Sequence, residues 1–423
     1  MAAAAAAVVI NALLSLLGVY LSVKVVREFI PIFVQRRLYG RDQCKKDSRP
    51  IAEPMGVVTA GVYLIVVFLF IPFAFMRILP PHWYYDTLNK PPETVSTEFP
   101  YQRFVFFLSG LLSICCSILL GFADDVLDLR WRHKLLFPTL SSLPLLMVYR
   151  ANGLGTFVAL PGPLVHWLGV GAAVDIGPLY YVYMCMMVVF CFNAINILAG
   201  INGLEAGQSV VIALSVVLFN LIQLYRLDTQ AWYHQLSLYF LFPYLGTTSV
   251  LLYFNWYPAS VFVGDTFCYF SGMVFAVCGV LGHFSKTLLL FFLPQILNFL
   301  YSTPQLFKLV PCPRHRLPRY DPQTDLLSAS VAEFKESDLR FAGRVVVGLL
   351  SWLPFQHVER FERDNVPWIR CANLTLINLC LQVVGPMRED RLTLLLLALQ
   401  IGASALAFFV RFYLAGLLYD VVH

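Results

Sequence analysis

Charge is what this sequence has least of. Only 13% of the 423 residues are Asp, Glu, Lys or Arg, about half the roughly 25% of an average soluble domain. So few charges cannot cover the surfaces of soluble domains, and they exclude a disordered chain. They also exclude a nucleic-acid binder, and the net charge is only +5. With 59% hydrophobic residues and a mean hydropathy of +0.70, the composition indicates a polytopic membrane protein.

Cysteine pairs, repeats and linkers are missing as well. The ten cysteines form no CxxC pair and no Cys/His metal spacing, and most lie in apolar runs, so we expect reduced thiols that act as packing residues and no secreted disulfide scaffold. No internal repeat or low-complexity linker is visible. The chain starts with alanines and lacks a basic n-region, so we expect the first apolar run to stay as a signal anchor.

Long apolar runs are abundant. A bilayer core needs about 20 apolar residues in a helix. The ten candidate spans start near Val8, Val57, Phe104, Leu135, Leu179, Gln208, Leu238, Phe267, Thr287 and Leu392. Two further runs, Val345–Phe355 and Leu374–Gly385, are too short to span and are predicted as interfacial or buried helices.

The distribution of basic residues gives the orientation. Most of the 30 Lys and Arg lie in the loops after the first, third and ninth spans, which the positive-inside rule places in the cytosol. Both termini are then lumenal. The sequon Asn373-Leu374-Thr375 falls on the cytosolic side, so we expect it to be unmodified.

These patterns predict an all-α polytopic membrane protein of about ten transmembrane helices. Residues 1–310 hold spans one to nine with cytosolic loops, 311–391 form a cytosolic subdomain, and 392–423 hold the tenth span and a lumenal C-terminus. The stretch between spans nine and ten is too long for a simple connection. Its tryptophans and alternating apolar residues predict a small mixed α/β insertion.

Two clusters of polar residues follow the third and fifth spans. Adjacent carboxylates, Asp124 and Asp125, end the third span, with Lys134 close behind; they call for a nearby cation, either a divalent metal or this ammonium. The alternative is a solvated helix end. The second cluster runs from Asn193 to Gly207 and contains three amides, which supply oxygen ligands or read a base, or else simply cap a helix and turn the chain.

Two further clusters lie at the same predicted face. Asp265 enters the eighth span, either as the cap of the helix or as a metal ligand facing Asn196. The segment Pro311–Arg319 carries arginines and a histidine between prolines; it suits phosphate and sugar oxygens, or anionic lipid. Carboxylates and amides for a hard cation, with basic groups for phosphates, indicate phosphoryl transfer at a membrane surface.

At these residues the sequence resembles a known family. GFADDVLDLRWRHK, NAINILAGINGLEAG, FVGDTF and PCPRHR are similar to the motifs of the polyprenyl-phosphate N-acetylhexosamine-1-phosphate transferases. The resemblance implies an endoplasmic-reticulum enzyme with ten spans, a cytosolic active site and sensitivity to tunicamycin. It implies that dolichyl phosphate attacks the β-phosphorus of UDP-GlcNAc, giving GlcNAc-diphosphodolichol and UMP. It leaves open whether the enzyme is a homodimer.

The resemblance also implies residue roles. Asp265 and Asn196 are expected to bind Mg²⁺, and Lys134, held by Asp124, to bind the diphosphate. Asp125 is expected near the acceptor phosphate, with either aspartate open as a base. The expected contacts of the nucleotide sugar are Phe262 and Asn202 for uracil, Glu53 near the nucleotide, and Trp131, Arg314, His315 and Arg316 around the diphosphate and N-acetylglucosamine.

Three other functions compete with this interpretation. A muramoyl-pentapeptide transferase would carry a histidine-rich block in place of Pro-Arg-His-Arg. A nucleotide-sugar transporter would show internal repeats and polar residues near the midplane. A purely structural membrane protein would leave Asp124, Asp125 and Asp265 unexplained on one surface.

Overall fold

Helices make up most of the structure, a computed structural model. It describes residues 2–46, 49–76, 99–127, 129, 133–169, 171–226, 231–313, 316–352, 356 and 358–419. In chain order the helices are α1 (Ala2–Gln35), α2 (Gly56–Phe75), α3 (Tyr101–Leu127), α4 (His133–Ala151), α5 (Gly162–Leu168), α6 (Pro178–Ile197), α7 (Leu204–Arg226), α8 (Ala231–Asn255), α9 (Gly264–Leu281), α10 (Ser285–Phe291), α11 (Leu293–Leu306), α12 (Phe341–Ser351), α13 (Leu376–Val384), α14 (Glu389–Phe409) and α15 (Ala415–Leu418).

Within the described ranges, eight helices are long and apolar enough to cross a membrane. These are α1, α2, α3, α6, α7, α8, α9, and α14 with its continuation to Leu418. The pair α10–α11 makes a ninth span if its two halves are counted together. The polytopic helical fold is therefore confirmed, and all ten predicted runs are helical. The count of ten spans stays a prediction, because α4 with Pro138 and Pro144 falls outside this group.

The ninth predicted span is broken rather than continuous. Its apolar run is uninterrupted in sequence, yet α10 and α11 meet at an angle of 72° around Phe292. Pro294 lies in the first turn of α11. Its ring lacks a backbone N–H and in a continuous helix would clash with the carbonyl of Leu290, four residues earlier, so the helix ends and restarts there.

Helix α9 lies in the middle of the bundle. It packs mainly on α3 and α6. Nearly nine-tenths of the helix is buried inside the bundle, as expected for a helix that is apolar on all sides. Its neighbours approach closely where a side chain is missing. A Cβ on Gly272 would lie 2.2 Å from the carbonyl oxygen of Cys191, and one on Gly121 would lie 2.6 Å from the Cα of Thr266.

Four small antiparallel sheets lie outside the helices. The pairs are β1 (Tyr39–Arg41) with β2 (Pro50–Ala52), β3 (Phe157–Ala159) with β4 (Ala173–Asp175), and β5 (Arg319–Asp321) with β6 (Leu326–Ser328); the fourth sheet has the order β7 (Val331–Lys335), β9 (Val366–Ala372), β8 (Val358–Arg363). The sequence analysis did not predict the first two of these sheets. The hairpin β1–β2 bears on the site, because Ala52 also bridges Val261 just before α9.

The mixed α/β insertion is confirmed. The three-stranded sheet and α12 enclose a small apolar core of their own, to which Phe334, Val347 and Ile369 contribute. The two short apolar runs predicted as helices are α12, which starts at Phe341 rather than near Val345, and α13.

Candidate active site

A cavity of about 760 Å³ opens where α3, α6 and α9 meet the β1–β2 hairpin. It brings together residues that are far apart in sequence, as their shared position at one face predicted. The predicted residues that line it are Glu53, Asp124, Asp125, Asn196, Asn202, Phe262 and Asp265.

Lys134 joins two carboxylates beside this cavity. Its Nζ lies 2.8 Å from Asp124 Oδ2 and 2.8 Å from Asp265 Oδ2. Asp124 is buried and also accepts hydrogen bonds from the Tyr269 hydroxyl and from the backbone N–H of Leu129. A cation held between two anions in this way offsets their mutual repulsion. Asp124 thus fixes the position of the ammonium group, as the sequence interpretation expected.

Asp265 and Asn196 form the candidate metal-binding pair. The Asn196 amide donates from Nδ2 to Asp265 Oδ1 at 2.7 Å, so the two side chains face each other across α6 and α9. Carboxylate and amide oxygens are the hard donors that Mg²⁺ takes, and it commonly uses one or two protein carboxylates plus substrate phosphates and waters. No cluster of three or more His, Cys, Asp or Glu suited to a metal occurs in the described part of the chain. This donor set fits a cation that takes some of its ligands from the protein and the others from a diphosphate.

Asp125 caps helix α9. Its Oδ1 accepts the N–H of Asp265 at 2.7 Å, and its Oδ2 accepts the N–H of Thr266 at 2.8 Å and the Thr266 hydroxyl. These donors have no partners inside the helix. The sequence allowed Asp265 itself to be the cap of this helix, but the capping side chain is Asp125, which comes from α3. Asp265 stays free to face Asn196 and Lys134.

Gly264 makes the approach of Asp125 possible. Its φ of +75° lies in the left-handed region, and a Cβ there would lie 2.2 Å from Pro54 Cβ and 2.9 Å from Asp125 Oδ2. Only glycine enters this conformation without strain. The turn before α9 therefore depends on this residue.

Glu53 lines the cavity just after β2. Burial, and then the charges of Asp125, Asp265 and Glu205, raise the pKa of Glu53 to about 7. Burial and the neighbouring carboxylates thus both favour the protonated form of Glu53.

Phe262 shares a wall of the cavity with Glu53. A Cβ on Gly40 in β1 would lie 2.3 Å from Glu53 Oε2 and 2.9 Å from the Phe262 ring. The backbone N–H of Phe262 donates to Ala52 at 2.9 Å. The hairpin, the carboxyl group and the ring are thus packed as one unit.

The sequence is similar to known proteins over most of its length. A model of glycosyl transferase family 4 matches residues 107–283, the stretch that contains Asp124, Lys134, Asn196 and Asp265. Over 92% of the chain, the sequence is 43% identical to the UDP-N-acetylglucosamine–dolichyl-phosphate N-acetylglucosaminephosphotransferase of Schizosaccharomyces pombe, of which it covers 88%. The protein of that name from Saccharomyces cerevisiae is 42% identical, with 92% and 87% covered. This chain belongs to that transferase family.

A bacterial relative is much more distant. The phospho-N-acetylmuramoyl-pentapeptide-transferase of Oceanobacillus iheyensis is 25% identical over 68% of the chain and 83% of its own length. The resemblance read from the motifs is confirmed at the level of the dolichyl-phosphate transferases.

Sequence reasoning missed a second charged network of this transferase. Lys45 Nζ lies 2.5 Å from Asp42 Oδ2, 2.7 Å from Asn202 Oδ1 and 2.9 Å from Glu389 Oε2. Although burial lowers the pKa of Lys45, its two acidic neighbours raise it overall. The network ties the loop after β1 to the start of α14. Lys45 was counted only for orientation, and no motif drew attention to Asp42 or Glu389.

Asn202 is held tightly by this network. Its Oδ1 accepts from Lys45 and from the N–H of Ala259, and its Nδ2 donates to Asp42 at 3.0 Å. One N–H of the amide is left for the predicted uracil contact. The carboxamide therefore cannot turn to suit another base edge while the network is intact.

The remaining predicted site residues lie beside this cavity or outside the described residues. Trp131, Arg314 and His315 are outside the described residues. Arg316 does not line the cavity, whereas the next residue, Leu317, does. The Arg316 carbonyl accepts a hydrogen bond from Asn378, and its Nη1 is buried with no partner in the described part of the chain.

Proposed function

We propose that this transferase moves N-acetylglucosamine 1-phosphate from UDP-GlcNAc to dolichyl phosphate, giving GlcNAc-diphosphodolichol and UMP. The observation that carries the proposal is the position of Lys134 between Asp124 and Asp265 at the cavity, inside a chain 43% identical to an enzyme named for this reaction. The product is the first intermediate of the lipid precursor of N-glycans.

The reaction needs placement and charge neutralisation more than proton transfer. An oxygen of dolichyl phosphate forms a bond to the β-phosphorus, and the bond from that phosphorus to the bridging oxygen breaks, so UMP leaves with the bridging oxygen. The acceptor is a phosphate monoester, already largely ionised at neutral pH. No base is required to activate it, and correct positioning can supply much of the rate.

Lys134 is the group proposed to bind the diphosphate. Its ammonium already lies between two anionic side chains, with Asp124 buried behind it, so its position is set before substrate arrives. A preorganised cation stabilises charge that builds up on the phosphate oxygens of the transition state. Asp125 caps α9 and so holds Asp265 in place, and it is also the residue proposed to lie near the acceptor phosphate.

Mg²⁺ is the proposed cofactor, with Asn196 and Asp265 as its protein ligands. A bound Mg²⁺ would supply Lewis-acid neutralisation of the diphosphate. The support is the donor set, an amide and a carboxylate oxygen facing each other at the cavity.

The nucleotide and sugar are proposed to lie along the remaining wall. Phe262 offers a ring for stacking on uracil, Asn202 an amide N–H for its edge, and Glu53 a carboxyl group near the nucleotide. The proposed contacts of the diphosphate and N-acetylglucosamine are Trp131, Arg314, His315 and Arg316.

The setting is proposed to be the endoplasmic reticulum membrane. The active site and the basic loops would face the cytosol and both termini the lumen, with the protein inhibited by tunicamycin; a homodimer stays open. The support is the concentration of Lys and Arg in the loops on the side of the site. In sealed, cytosol-side-out microsomes, we expect the enzyme to turn over added UDP-GlcNAc without detergent, because this charged substrate does not diffuse through the bilayer. Activity that appears only after permeabilisation would contradict this orientation.

The nucleotide product tests the type of reaction. Purified protein is incubated with UDP-GlcNAc and dolichyl phosphate, and both nucleotide and lipid products are identified by mass spectrometry. We expect UMP and a lipid carrying two phosphates. Release of UDP with a lipid carrying one phosphate would mean attack at the sugar carbon and would overturn phosphoryl transfer. Turnover of UDP-muramoyl-pentapeptide in place of UDP-GlcNAc would keep the chemistry and overturn the substrate.

A further inference from the structure

Helix α12 of the insertion has two different faces. One face, with Gly343, Val347 and Leu350, is buried against the three-stranded sheet. On the other face, Phe341 is 83%, Val345 45%, Leu349 65% and Trp352, which follows the helix, 88% exposed. Their spacing of four, four and three residues puts them on one side of a helix. Four large apolar side chains exposed together mark an interaction surface rather than chance exposure.

Two contacts hold α12 and the residue Gln356 after it close to α11, the second half of the bent span. Near its start, a Cβ on Gly343 would lie 2.3 Å from the carbonyl oxygen of Leu309, just past the end of α11. After its end, Gln356 accepts a hydrogen bond from the Tyr301 hydroxyl of α11. Tyr301 is five residues before the last residue of α11, or about 8 Å along a helix that rises 1.5 Å per residue. Helix α12 is therefore held near the C-terminal end of α11, which is the second half of a candidate span.

Helix α11 also has exposed apolar side chains. Leu297, Leu300 and Phe307 are all at least half exposed on this span and its end, as expected for side chains that face lipid. The exposed face of α12 therefore lies near a candidate span that has exposed apolar side chains of its own. Arg340 and Arg344 flank it, are exposed, and make no ion pair within the described ranges, so they are available to anionic headgroups.

We propose that α12 is an interfacial helix that inserts Phe341, Val345, Leu349 and Trp352 into the boundary between headgroups and acyl chains of the leaflet on the side of the active site. An amphipathic helix with aromatic residues on one face and arginines at its edge lies in the plane of such a boundary. The insertion is thereby fastened to the membrane as well as to α11. This inference does not depend on which substrate the cavity takes.

The test uses tryptophan fluorescence of the full chain in nanodiscs of phosphatidylcholine and phosphatidylserine whose acyl chains carry bromine, which quenches at short range. The signal of Trp352 among the seven tryptophans is obtained as the difference between wild type and W352F. The matched control is W368F, because Trp368 belongs to the same insertion but lies on its sheet, over Lys335 and Arg363. We expect the Trp352 signal to be quenched by brominated lipid and the Trp368 signal to be unaffected.

A second variant guards against misreading. The double substitution F341S/L349S touches only exposed side chains, so the protein should fold, and we expect it to weaken quenching of Trp352 by lipid and increase quenching by aqueous iodide. A Trp352 signal that iodide reaches and brominated lipid does not would place the face in water and overturn the proposal. A signal that neither agent reaches would assign the face to a protein partner or a second copy, and would overturn it equally.

Discussion

At the scale of single residues, the account depends on how Lys134 is held. Its two carboxylate partners come from α3 and α9, 10 residues before it and 131 after it in sequence. The motif order predicted Lys134 and Asp124 together, and the distances agree. What the motifs did not predict is the cap on α9 by Asp125, because a cap donated from another helix leaves no local spacing signal.

Replacing Lys134 by Met should reduce the rate of UMP formation by about 100-fold or more, since a preorganised charge at the diphosphate is removed. The rate is measured at saturating UDP-GlcNAc. The control is K335M, at an exposed position of strand β7, which should keep the wild-type rate. Normal turnover by K134M would contradict the proposed role of Lys134 in binding the diphosphate.

Replacing Glu53 by Gln should change how stability depends on pH. The folded protein raises the pKa of Glu53 from 4.5 to about 7, so folding favours the protonated form. That stability is fully present below pH 4.5 and is lost as pH rises through 7, by up to about 1.4 kcal/mol per pH unit. Thermal unfolding in detergent between pH 5 and 8 should show a decline that is smaller in E53Q. Identical declines would contradict the raised pKa.

At the scale of elements, α9 is the helix that the site depends on. It brings Asp265 to the cavity, it is surrounded by other helices, and it begins at a glycine turn closed by Asp125. The apolar run that starts near Phe267 predicted the start of this helix within three residues. It could not predict the turn, because the conformation of Gly264 follows from the approach of Pro54 and Asp125, which are distant in sequence.

Replacing Gly264 by Ala should lower stability by at least about 1–2 kcal/mol, the cost of a left-handed conformation in a residue with a side chain, and should disturb the cap on α9. Thermal unfolding and UMP formation are both measured. The matched control is G61A in α2, where a new Cβ would meet nothing within 4 Å. Equal midpoints for the two variants would show that the turn tolerates a side chain.

The sequon at Asn373 should carry no glycan. Orientation predicted this from charge, and the structure adds a second reason. Asn373 is buried, donates to Ser330 and accepts from Gln305. Glycosidase treatment should therefore change the mass of neither the wild type nor N373Q. The substitution should lower the free energy of unfolding by about 1–3 kcal/mol, because buried hydrogen bonds are lost. A glycosidase-sensitive mass shift in the wild type would contradict both arguments.

At the scale of the whole molecule, the sequence was most informative where one physical signal dominates. Hydropathy located all ten helical runs, from Val8 to Leu392, because lipid allows few alternatives to a helix. It did not locate the bend at Phe292, where Pro294 matters more than hydrophobicity, nor the hairpin β1–β2, whose strands have three residues each. The Lys45 network escaped for a similar reason. Asp42 and Lys45, Asn202 and Glu389 come from three distant parts of the chain, and only the fold brings them together.

The central claim is that the cavity formed by α3, α6 and α9 is a phosphoryl-transfer site. It is tested most directly by UMP release from UDP-GlcNAc by the purified protein, with dolichyl phosphate and Mg²⁺ each added or left out. D265N is run beside D321N, which makes the same change on the exposed strand β5. The account predicts release that needs both additions, is lost in D265N and is kept in D321N. Release that persists in a folded D265N, or that needs neither addition, would contradict it.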